Sequence, residues 1–172
     1  MKTIYNIDEM AETAALWRQE GQSIGLVHFQ GNLHRGHASL LKAAKAENDQ
    51  AVLCLFAVDG TGSADLEQDA RKAEASGADV LFLPSRHDLW PDHLLARAAF
   101  GELSGRLFGS GRPDLYPDLC TLALKLFHIT QAQRTYYGQK DIQRFLLVQR
   151  MAADLNIPVK VKCLPIARDQ DN

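Results

Sequence analysis

The chain has 172 residues, of which 46% are hydrophobic, and a formal net charge of -2. This length supports one domain with a real core, with at most a short appendage. Because there is no basic surplus, nucleic acid is not the expected partner. We expect no membrane partner either, since no apolar run reaches membrane-spanning length and the first residues do not resemble a signal peptide.

The three cysteines point to a reducing compartment. Cys54, Cys120 and Cys163 are unclustered and lie in apolar runs. An odd number of scattered cysteines predicts buried free thiols rather than a disulfide framework. We therefore expect a cytoplasmic protein.

The first half of the chain alternates predicted strands and helices. Apolar runs predict strands over 24–29, 51–58 and 80–83, and amphipathic patterns predict helices over 8–20, 36–48 and 64–76. Asp8 and Asn6 are both candidates for the cap of the first helix. Alternation of this kind implies parallel strands joined by right-handed crossovers.

The second half continues the pattern with wider spacing. Helices are predicted over 94–107, 117–129 and 142–155, and strands over 135–137 and 159–164. The expected architecture is an α/β fold, a Rossmann-like doubly wound sheet of about five parallel strands. In such sheets ligands bind beyond the carboxyl ends of the strands.

The stretch 24–37 carries the strongest functional signal. A buried strand is predicted to end at Gln30-Gly31-Asn32, where the glycine favours a turn. His34 and His37 then occupy the first turn of a predicted helix. The free N–H groups and the dipole at a helix N-terminus favour an anion, and imidazoles three residues apart face the same spot. The pattern predicts a phosphate site to which both histidines donate hydrogen bonds.

Other interpretations of these histidines are open from the residues alone. A single histidine near a helix start is commonly a cap or a surface residue, and a pair can bind a metal. No cysteine or carboxylate lies at ligand spacing nearby, so we predict no metal site. The remaining histidines are interpreted as structural or surface residues: His28, His87, His93 and His128.

A second polar stretch, Gly138-Gln139-Lys140-Asp141, follows a predicted strand and opens a predicted helix. Lys140 can reach a phosphate as a mobile cation. Asp141 can cap the helix or hold a ribose hydroxyl, and a solvated Lys–Asp pair would explain the same residues. Since both polar stretches follow strands of one sheet, we expect them to face one ligand from two sides.

Both stretches resemble motifs of known enzymes. His34-Arg35-Gly36-His37 resembles the His-x-Gly-His signature of the nucleotidyltransferase superfamily, and Gly31–His37 is similar to the Met-Gly-x-Leu-His-x-Gly-His motif of pantothenate synthetases. Tyr137–Arg144 resembles the Phe-Gly-Glu-Lys-Asp-x-Gln-Gln segment of the same family. Further landmarks agree in order: Gly77–Ser85, Trp90-Pro91, Gly111–Pro113 and Leu124–Phe127. The resemblance to the pantothenate synthetase family covers nearly the whole chain.

The resemblance implies condensation of pantoate with β-alanine in two steps. ATP and the acid give an acyl adenylate and pyrophosphate, and the amine then displaces AMP. The substrate carboxylate attacks the α-phosphate, so the protein has to position the reactants and neutralise charge. ATP and Mg²⁺ are the implied cofactors, and a homodimer is the implied assembly.

The resemblance also assigns residues. The implied catalytic residues are His37, His34 and Lys140, with His37 stabilising the transition state or the leaving group. The implied ATP-binding residues include Gly138 and Asp141 near the ribose and Ala167 near the adenine. The full implied ATP-binding set is Gln30, Gly31, Asn32, Leu33, His34, Gly36, His37, Gly138, Gln139, Lys140, Asp141 and Ala167.

Three positions depart from the family pattern. Gln30 stands where the family usually has methionine, and 58–62 stands where the family has Asn-Pro-x-Gln-Phe, whose glutamine binds pantoate. Arg144 replaces the second pantoate-binding glutamine, although Gln143 remains. Loss of two hydrogen bonds costs roughly 1–3 kcal/mol each in an otherwise unchanged site, whereas an arginine binds carboxylates bidentately. We therefore predict that Arg144 and Gln143 contact the acid, which is pantoate or a related small carboxylic acid.

The last residues, 165–172, match the approach to the family's Ser-Ser-Arg-Asn segment, before which the sequence stops. We expect 1–172 to form one nucleotide-binding, adenylating domain without the family's C-terminal lid domain. Adenylation would then be slow or need a partner chain, because closure excludes water.

Two rival functions are a non-catalytic nucleotide-binding paralogue or subunit and a plain nucleotidyltransferase that makes a dinucleotide. Retention of His34, His37, Lys140 and Asp141 favours the ATP-using acid activator, and the Gly-Gln-Lys-Asp helix speaks against the dinucleotide enzyme.

Overall fold

The computed structural model describes residues 1–30, 32–56, 66–92, 94–99 and 114–166. The strands are β1 (Lys2–Ile4), β2 (Ile24–Gln30), β3 (Gln50–Phe56), β4 (Val80–Phe82), β5 (Arg134–Gly138) and β6 (Lys160–Leu164). The helices are α1 (Ile7–Gln19), α2 (Arg35–Glu47), α3 (Leu66–Ala75), α4 (Arg86–Leu89), α5 (Leu115–Thr130) and α6 (Ile142–Asp154). A short 3₁₀ turn, Gln139–Asp141, precedes α6.

The strands form one sheet in the order β1-β4-β3-β2-β5-β6, and every neighbouring pair is parallel. The predicted doubly wound α/β fold is confirmed, with six strands rather than about five. The additional strand is β1, whose Lys2 pairs with Val80 at the edge of the sheet. Three residues are too few to show a hydrophobic period, which is why the sequence did not predict this strand.

Helices cover both faces of the sheet, and β2 divides its side chains between the two faces. Ile24 and Leu26 belong to the core on the side of α1, α5 and α6. Val27 and Phe29 belong to the core on the side of α2 and α3. This follows from the alternation of side chains along a strand, and it explains why β2 is buried from Ile24 to Phe29.

Most predicted elements are present with shifted ends. Asn6 caps α1, because its Oδ1 accepts hydrogen bonds from the N–H groups of Asp8 and Glu9 at 2.7 and 3.1 Å. The apolar side of α2 is buried as predicted. Helix α5 begins at Leu115, two residues before the predicted start at Pro117. The predicted ends at 57–58 and 64–65 lie outside the described residues.

Two expectations were wrong. The helix predicted over 94–107 is not helical at 94–99, where the Ala98 N–H instead donates to Thr121 Oγ1 at 2.9 Å; the rest of that stretch lies outside the described residues. Cys163 is partly exposed because β6 is an edge strand, whereas Cys54 and Cys120 are buried, and all three thiols are free. On α6, Ile142 is about half exposed, as are Leu146 and Leu155.

The buried side of α6 consists of other residues: Leu147, Val148, Met151 and Ala152. Their spacing of three and four positions forms the stripe that packs on the sheet, so the remaining apolar residues point away from it. No helix in the described ranges is long and apolar enough to cross a bilayer.

Gly25 on β2 lies against a buried polar network. A Cβ at this position would be 2.4 Å from Asn48 Nδ2. That amide donates hydrogen bonds to the Ala44 carbonyl and the Tyr136 hydroxyl, and Asn48 Oδ1 accepts one from Arg134. The amide therefore cannot move aside without leaving buried polar groups unpaired.

We predict that Gly25→Ala lowers the free energy of unfolding by about 1–3 kcal/mol, the usual cost of overpacking. Urea denaturation of the purified variant measures this change. Gly138→Ala is the matched control, since nothing lies within 4 Å of a Cβ there. Equal losses in the two variants would contradict the account.

Candidate functional site

The two polar stretches lie at the carboxyl ends of neighbouring strands. Strand β2 pairs with β3 on one side and β5 on the other. After β2 the chain adds β3 and then β4 on one side of β2, and it later adds β5 and β6 on the other side. The strand order therefore reverses between β2 and β5. A crevice beyond the strands at such a reversal is where doubly wound sheets bind ligands.

Three aromatic rings are stacked at the start of α2. His37 lies 3.4 Å from the Phe29 ring, centroid to centroid, with an interplanar angle of 8°. His34 stacks on the other side of His37 at 3.7 Å and 20°. Gly36 leaves room for this arrangement, since a Cβ there would be 2.9 Å from His34 Cε1.

His34 is also the N-cap of α2. Its Nδ1 accepts a hydrogen bond from the Gly36 N–H at 3.1 Å, so the capping interpretation of this histidine is correct. The cap and the stack hold both imidazoles at the N-terminus of a 13-residue helix. The geometry supports the predicted anion site, because the dipole and free N–H groups of the helix act at the same place.

His37 is a neutral imidazole near neutral pH. Burial of its ring and the neighbouring His34 lower its pKa from 6.5 to about 4, although Asn32 and Asp69 oppose this shift. Its Nδ1 is buried and has no hydrogen-bond partner among the residues that the structure describes. A buried polar atom without a partner is costly, so a ligand that pairs with it would bind favourably here.

Asp69 is a further candidate site residue, which the sequence pattern does not single out. It lies on α3, is 1% exposed, and its Oδ2 has no hydrogen-bond partner. Its Oδ1 is 3.8 Å from Lys72 Nζ, and that amine also donates to the Leu33 carbonyl at 3.4 Å. The charged sequence of α3 favours a helix exposed to solvent. One sequence feature indicates that Asp69 is buried: it lies four positions before Ala73, and residues at this spacing share one side of a helix.

The second stretch is open to solvent. Gln139, Lys140 and Asp141 are exposed, and within the described ranges Lys140 and Asp141 form no hydrogen bond or ion pair. The capping interpretation of Asp141 is wrong, because its side chain makes no cap hydrogen bond to α6. Lys140 lies in the 3₁₀ turn rather than in an α-helix. Both side chains are therefore available to a ligand.

Arg144 contacts the interior of the sheet. Its Nη2 is 3.0 Å from His28 Nδ1, and its guanidinium carbon is 5.4 Å from the centroid of the Tyr137 ring. His28 is 4% exposed, and its Nε2 is 2.8 Å from the Tyr137 hydroxyl. The neighbouring Gln143 accepts a hydrogen bond from the Tyr116 hydroxyl at 2.9 Å. The sequence predicts His28 as a structural or surface residue and does not indicate this contact.

A mainly apolar cleft of about 310 Å³ opens at the carboxyl ends of β2 and β3, between the sheet and α5. Gln30, at the end of β2, forms part of its wall. The cleft is lined by Gln30, Phe56, Arg86, Leu89, Trp90, Leu115, Asp118, Leu119 and Leu122. Its walls fit the apolar body of a small organic molecule.

Several expected site residues are not covered. Gly31 and Ala167 lie outside the described residues, as does 58–62. Within the described ranges, no group of three or more metal-ligating side chains forms a metal site.

The stacked histidines generate a prediction about pH. The pKa of His37 is lower in the folded chain than in the unfolded chain. On acidification the unfolded chain therefore binds a proton at this histidine before the folded chain does. The free energy of unfolding should then decrease as pH falls from about 6.5 towards 4. Histidine ring signals in NMR should report a His37 pKa near 4 in the parent chain. His34→Ala should raise that pKa, since it removes both covering surface and a repelling charge. His128→Ala, at an exposed position of α5, is the control; a His37 pKa that His34→Ala leaves unchanged would contradict the stack's role.

Comparison with known proteins extends this picture. The sequence profile of the pantoate-beta-alanine ligase family matches residues 2–172. The pantothenate synthetase of Nitratidesulfovibrio vulgaris is 39% identical over 171 residues, which cover 94% of this chain and 60% of that protein. The pantothenate synthetase of Thermosipho africanus is 37% identical, with 99% and 65% covered. The chain therefore spans less than two thirds of the length of these curated relatives.

Solved structures agree. The pantothenate synthetase of Thermus thermophilus superimposes with a TM-score of 0.86 at 32% identity, covering 99% of this chain and 64% of that one. The pantoate-beta-alanine ligase of Francisella tularensis, in a complex with β-γ ATP and β-alanine, superimposes with a TM-score of 0.85 at 33% identity, covering 99% and 69%. The fold, the motifs and the match over 2–172 lead to one conclusion: this chain belongs to the pantoate-beta-alanine ligase (pantothenate synthetase) family.

Proposed function

We propose that this chain uses ATP to activate a small carboxylic acid, pantoate in the first instance, for condensation with an amine such as β-alanine. The observation that carries the proposal is the position of His37. It is stacked between Phe29 and His34 at the N-terminus of α2, it is neutral near pH 7, and its Nδ1 lacks a partner. Such a group suits an anion whose charge changes during a reaction.

In the proposed reaction a carboxylate oxygen attacks the α-phosphorus of ATP. The bond to the bridging oxygen of the β-phosphate breaks, and pyrophosphate leaves with the electron pair. The amine nitrogen then attacks the acyl carbon and AMP departs. No side chain has to form a covalent bond, so the chain contributes orientation and charge neutralisation.

The phosphates would lie at the N-terminus of α2. There the free N–H groups of the helix and the stacked His34 and His37 would face the ligand. Lys140 supports this placement from the neighbouring strand end, because its exposed amine forms no hydrogen bond or ion pair within the described ranges. In this account His34, His37 and Lys140 are the catalytic residues.

The nucleoside half of ATP would extend along the carboxyl end of β5. Gly138 has open space around its Cα and Asp141 is exposed, which suits contact with a ribose. Asn32, Leu33 and Gln139 complete the described part of the proposed ATP site. Gly31 and Ala167 remain predictions.

Magnesium would arrive with the nucleotide and neutralise charge on the phosphates. Mg²⁺ keeps several waters and needs only one or two carboxylates beside the phosphates, so a dedicated cluster of side chains is not required. Asp69 fits this role, since its Oδ2 is buried without a partner and its charge acts on His37.

The acid would occupy the cleft at the ends of β2 and β3. Its apolar walls suit the carbon skeleton of the acid, and Arg144 and Gln143 on α6 supply polar groups close to the same face of the sheet. Gln30 lines this cleft and would therefore contact the acid as well as ATP.

A second candidate is a nucleotide-binding subunit without activity of its own. The observation in its favour is the exposure of Lys140 and Asp141, because adenylation benefits from exclusion of water. The homodimer expected from the resemblance likewise remains a prediction, which sedimentation velocity of the purified chain would test.

Pyrophosphate release distinguishes the two candidates. The purified chain is incubated with ATP, Mg²⁺, β-alanine and either pantoate or one of a panel of small carboxylic acids. We expect acid-dependent release that His37→Ala reduces by about 10²–10³-fold, the usual loss when a group that stabilises developing charge is removed. His128→Ala, far along α5 from the site, should release pyrophosphate at the parent rate.

ATP binding without release for any acid would overturn the catalytic proposal in favour of the second candidate. Release that His37→Ala leaves unchanged would contradict the role given to the stacked histidines.

A further inference from the structure

Arg144 is a partly buried cation without a counter-charge. Among the residues that the structure describes, no carboxylate lies within ion-pair distance of its guanidinium. Its contacts include His28 Nδ1, at 3.0 Å, and both the ring face and the hydroxyl of Tyr137. Its Nε is buried and has no hydrogen-bond partner in the described part of the chain. Burying a charge without an opposite charge is costly. A bound anion would supply the opposite charge that the Arg144 guanidinium lacks.

His28 holds the guanidinium in one orientation. Arginine has donors only, so His28 Nδ1 must be the acceptor and the ring proton must lie on Nε2. That proton is donated to the Tyr137 hydroxyl, 2.8 Å away. Burial, and then the charge of Arg144, lower the pKa of His28 well below its ordinary value, which keeps the ring in this neutral tautomer. The contact occupies Nη2 and leaves the Nε–H for a ligand.

The guanidinium lies on the face of the sheet that carries the cleft proposed for the acid. Side chains alternate along β2, so His28 and Gln30 point to the face of the sheet that carries α5 and α6. Gln30 lines the cleft and lies about 7 Å along the strand from His28. His37, by contrast, stacks on Phe29, which belongs to the core on the opposite face.

The same geometry places the two anions within reach of each other. Arg144 is close enough to His37 to contribute to the lowering of its pKa. A carboxylate on Arg144 would therefore lie near a phosphate at His37, as attack on the α-phosphorus requires.

We propose that His28 is a positioning residue that orients Arg144 to bind the carboxylate of the acid substrate, so that the His28–Arg144 pair sets the affinity for the acid. The identity of the acid rests on the proposed function. The anion site rests on the contacts of Arg144, and it can be tested by binding alone.

Four variants test the pair: His28→Leu removes the acceptor, His28→Asn keeps an acceptor oxygen near the position of Nδ1, Arg144→Met removes the charge, and the fourth combines His28→Leu with Arg144→Met. Calorimetry measures the Kd of pantoate, and of succinate as a second acid, with a saturating non-hydrolysable ATP analogue. The Kd of the analogue is measured alone, and circular dichroism confirms folding.

We expect His28→Leu and Arg144→Met each to weaken acid binding about 10- to 100-fold, as for loss of a charge-assisted hydrogen bond. The analogue should bind all variants within about twofold. The double variant should bind the acid no more weakly than Arg144→Met, because residues that act as one unit are not additive. His28→Asn should restore most of the affinity, which a purely structural role of the ring would not predict. If His28→Leu fails to fold, His28→Asn and Arg144→Met supply the same comparison.

Three results would overturn the inference. If the variants bind the ATP analogue more weakly and the acid as well as the parent does, a phosphate is the ligand of Arg144. Additive losses of acid affinity in the double variant, or no saturable binding of either acid to the parent chain, would also contradict it. Failure of the proposed function has a different signature. Acid binding with the expected pattern but without pyrophosphate release would refute adenylation and leave the His28–Arg144 site in place.

Discussion

The alternation of side chains along β2 is the constraint on which the proposed site depends. This strand has a neighbour on each side and helices on both faces, so consecutive residues are committed to opposite halves of the core. Phe29 faces the α2 side, where it supports His37. His28 faces the α5 and α6 side, where it contacts Arg144. One strand end can thereby present a phosphate site on one face and an acid site on the other.

The charges of the two halves are matched to their proposed ligands. On the phosphate side, stacking and burial keep His37 neutral, so it binds phosphate by hydrogen bonding. On the acid side, the positive charge of Arg144 has no described carboxylate as a partner. Its unpaired Nε–H is the donor to which a bound anion would be hydrogen-bonded. Arg144 also helps to keep both His28 and His37 unprotonated. The charge of Arg144 therefore affects the protonation of both imidazole rings, His28 on the acid side and His37 on the phosphate side.

Much of the fold and part of the site could be predicted from the sequence. The apolar run before Gln30, the glycines and the helical period after His34 are local signals, and they predicted the strand–turn–helix unit and the parallel sheet. Short or irregular pieces gave weak signals: β1 has three residues, and 94–99 has a helical composition but bonds to Thr121 instead.

The contacts that the sequence could not reveal are long-range. His28 and Arg144 are 116 positions apart, and no spacing rule connects them. The stacking of Phe29 on His37 depends on how β2 and α2 pack. Asp69 lies in a helix whose charged composition favours solvent exposure, and only its packing shows that the carboxylate is buried. Local pattern thus identified the motif histidines, whereas the groups that tune them depend on tertiary structure.

The central claim is that the acid is activated by forming a bond to the α-phosphorus of ATP, and isotope transfer tests it directly. The purified chain is given ATP, β-alanine and pantoate labelled with oxygen-18 in both carboxylate positions, and the nucleotide product is analysed by mass spectrometry. Our account predicts AMP that carries one oxygen-18 atom, because the bridging oxygen of the acyl adenylate leaves with AMP. Unlabelled AMP, or ADP as the product, would contradict it, since either would show that the carboxylate never attacked the α-phosphate.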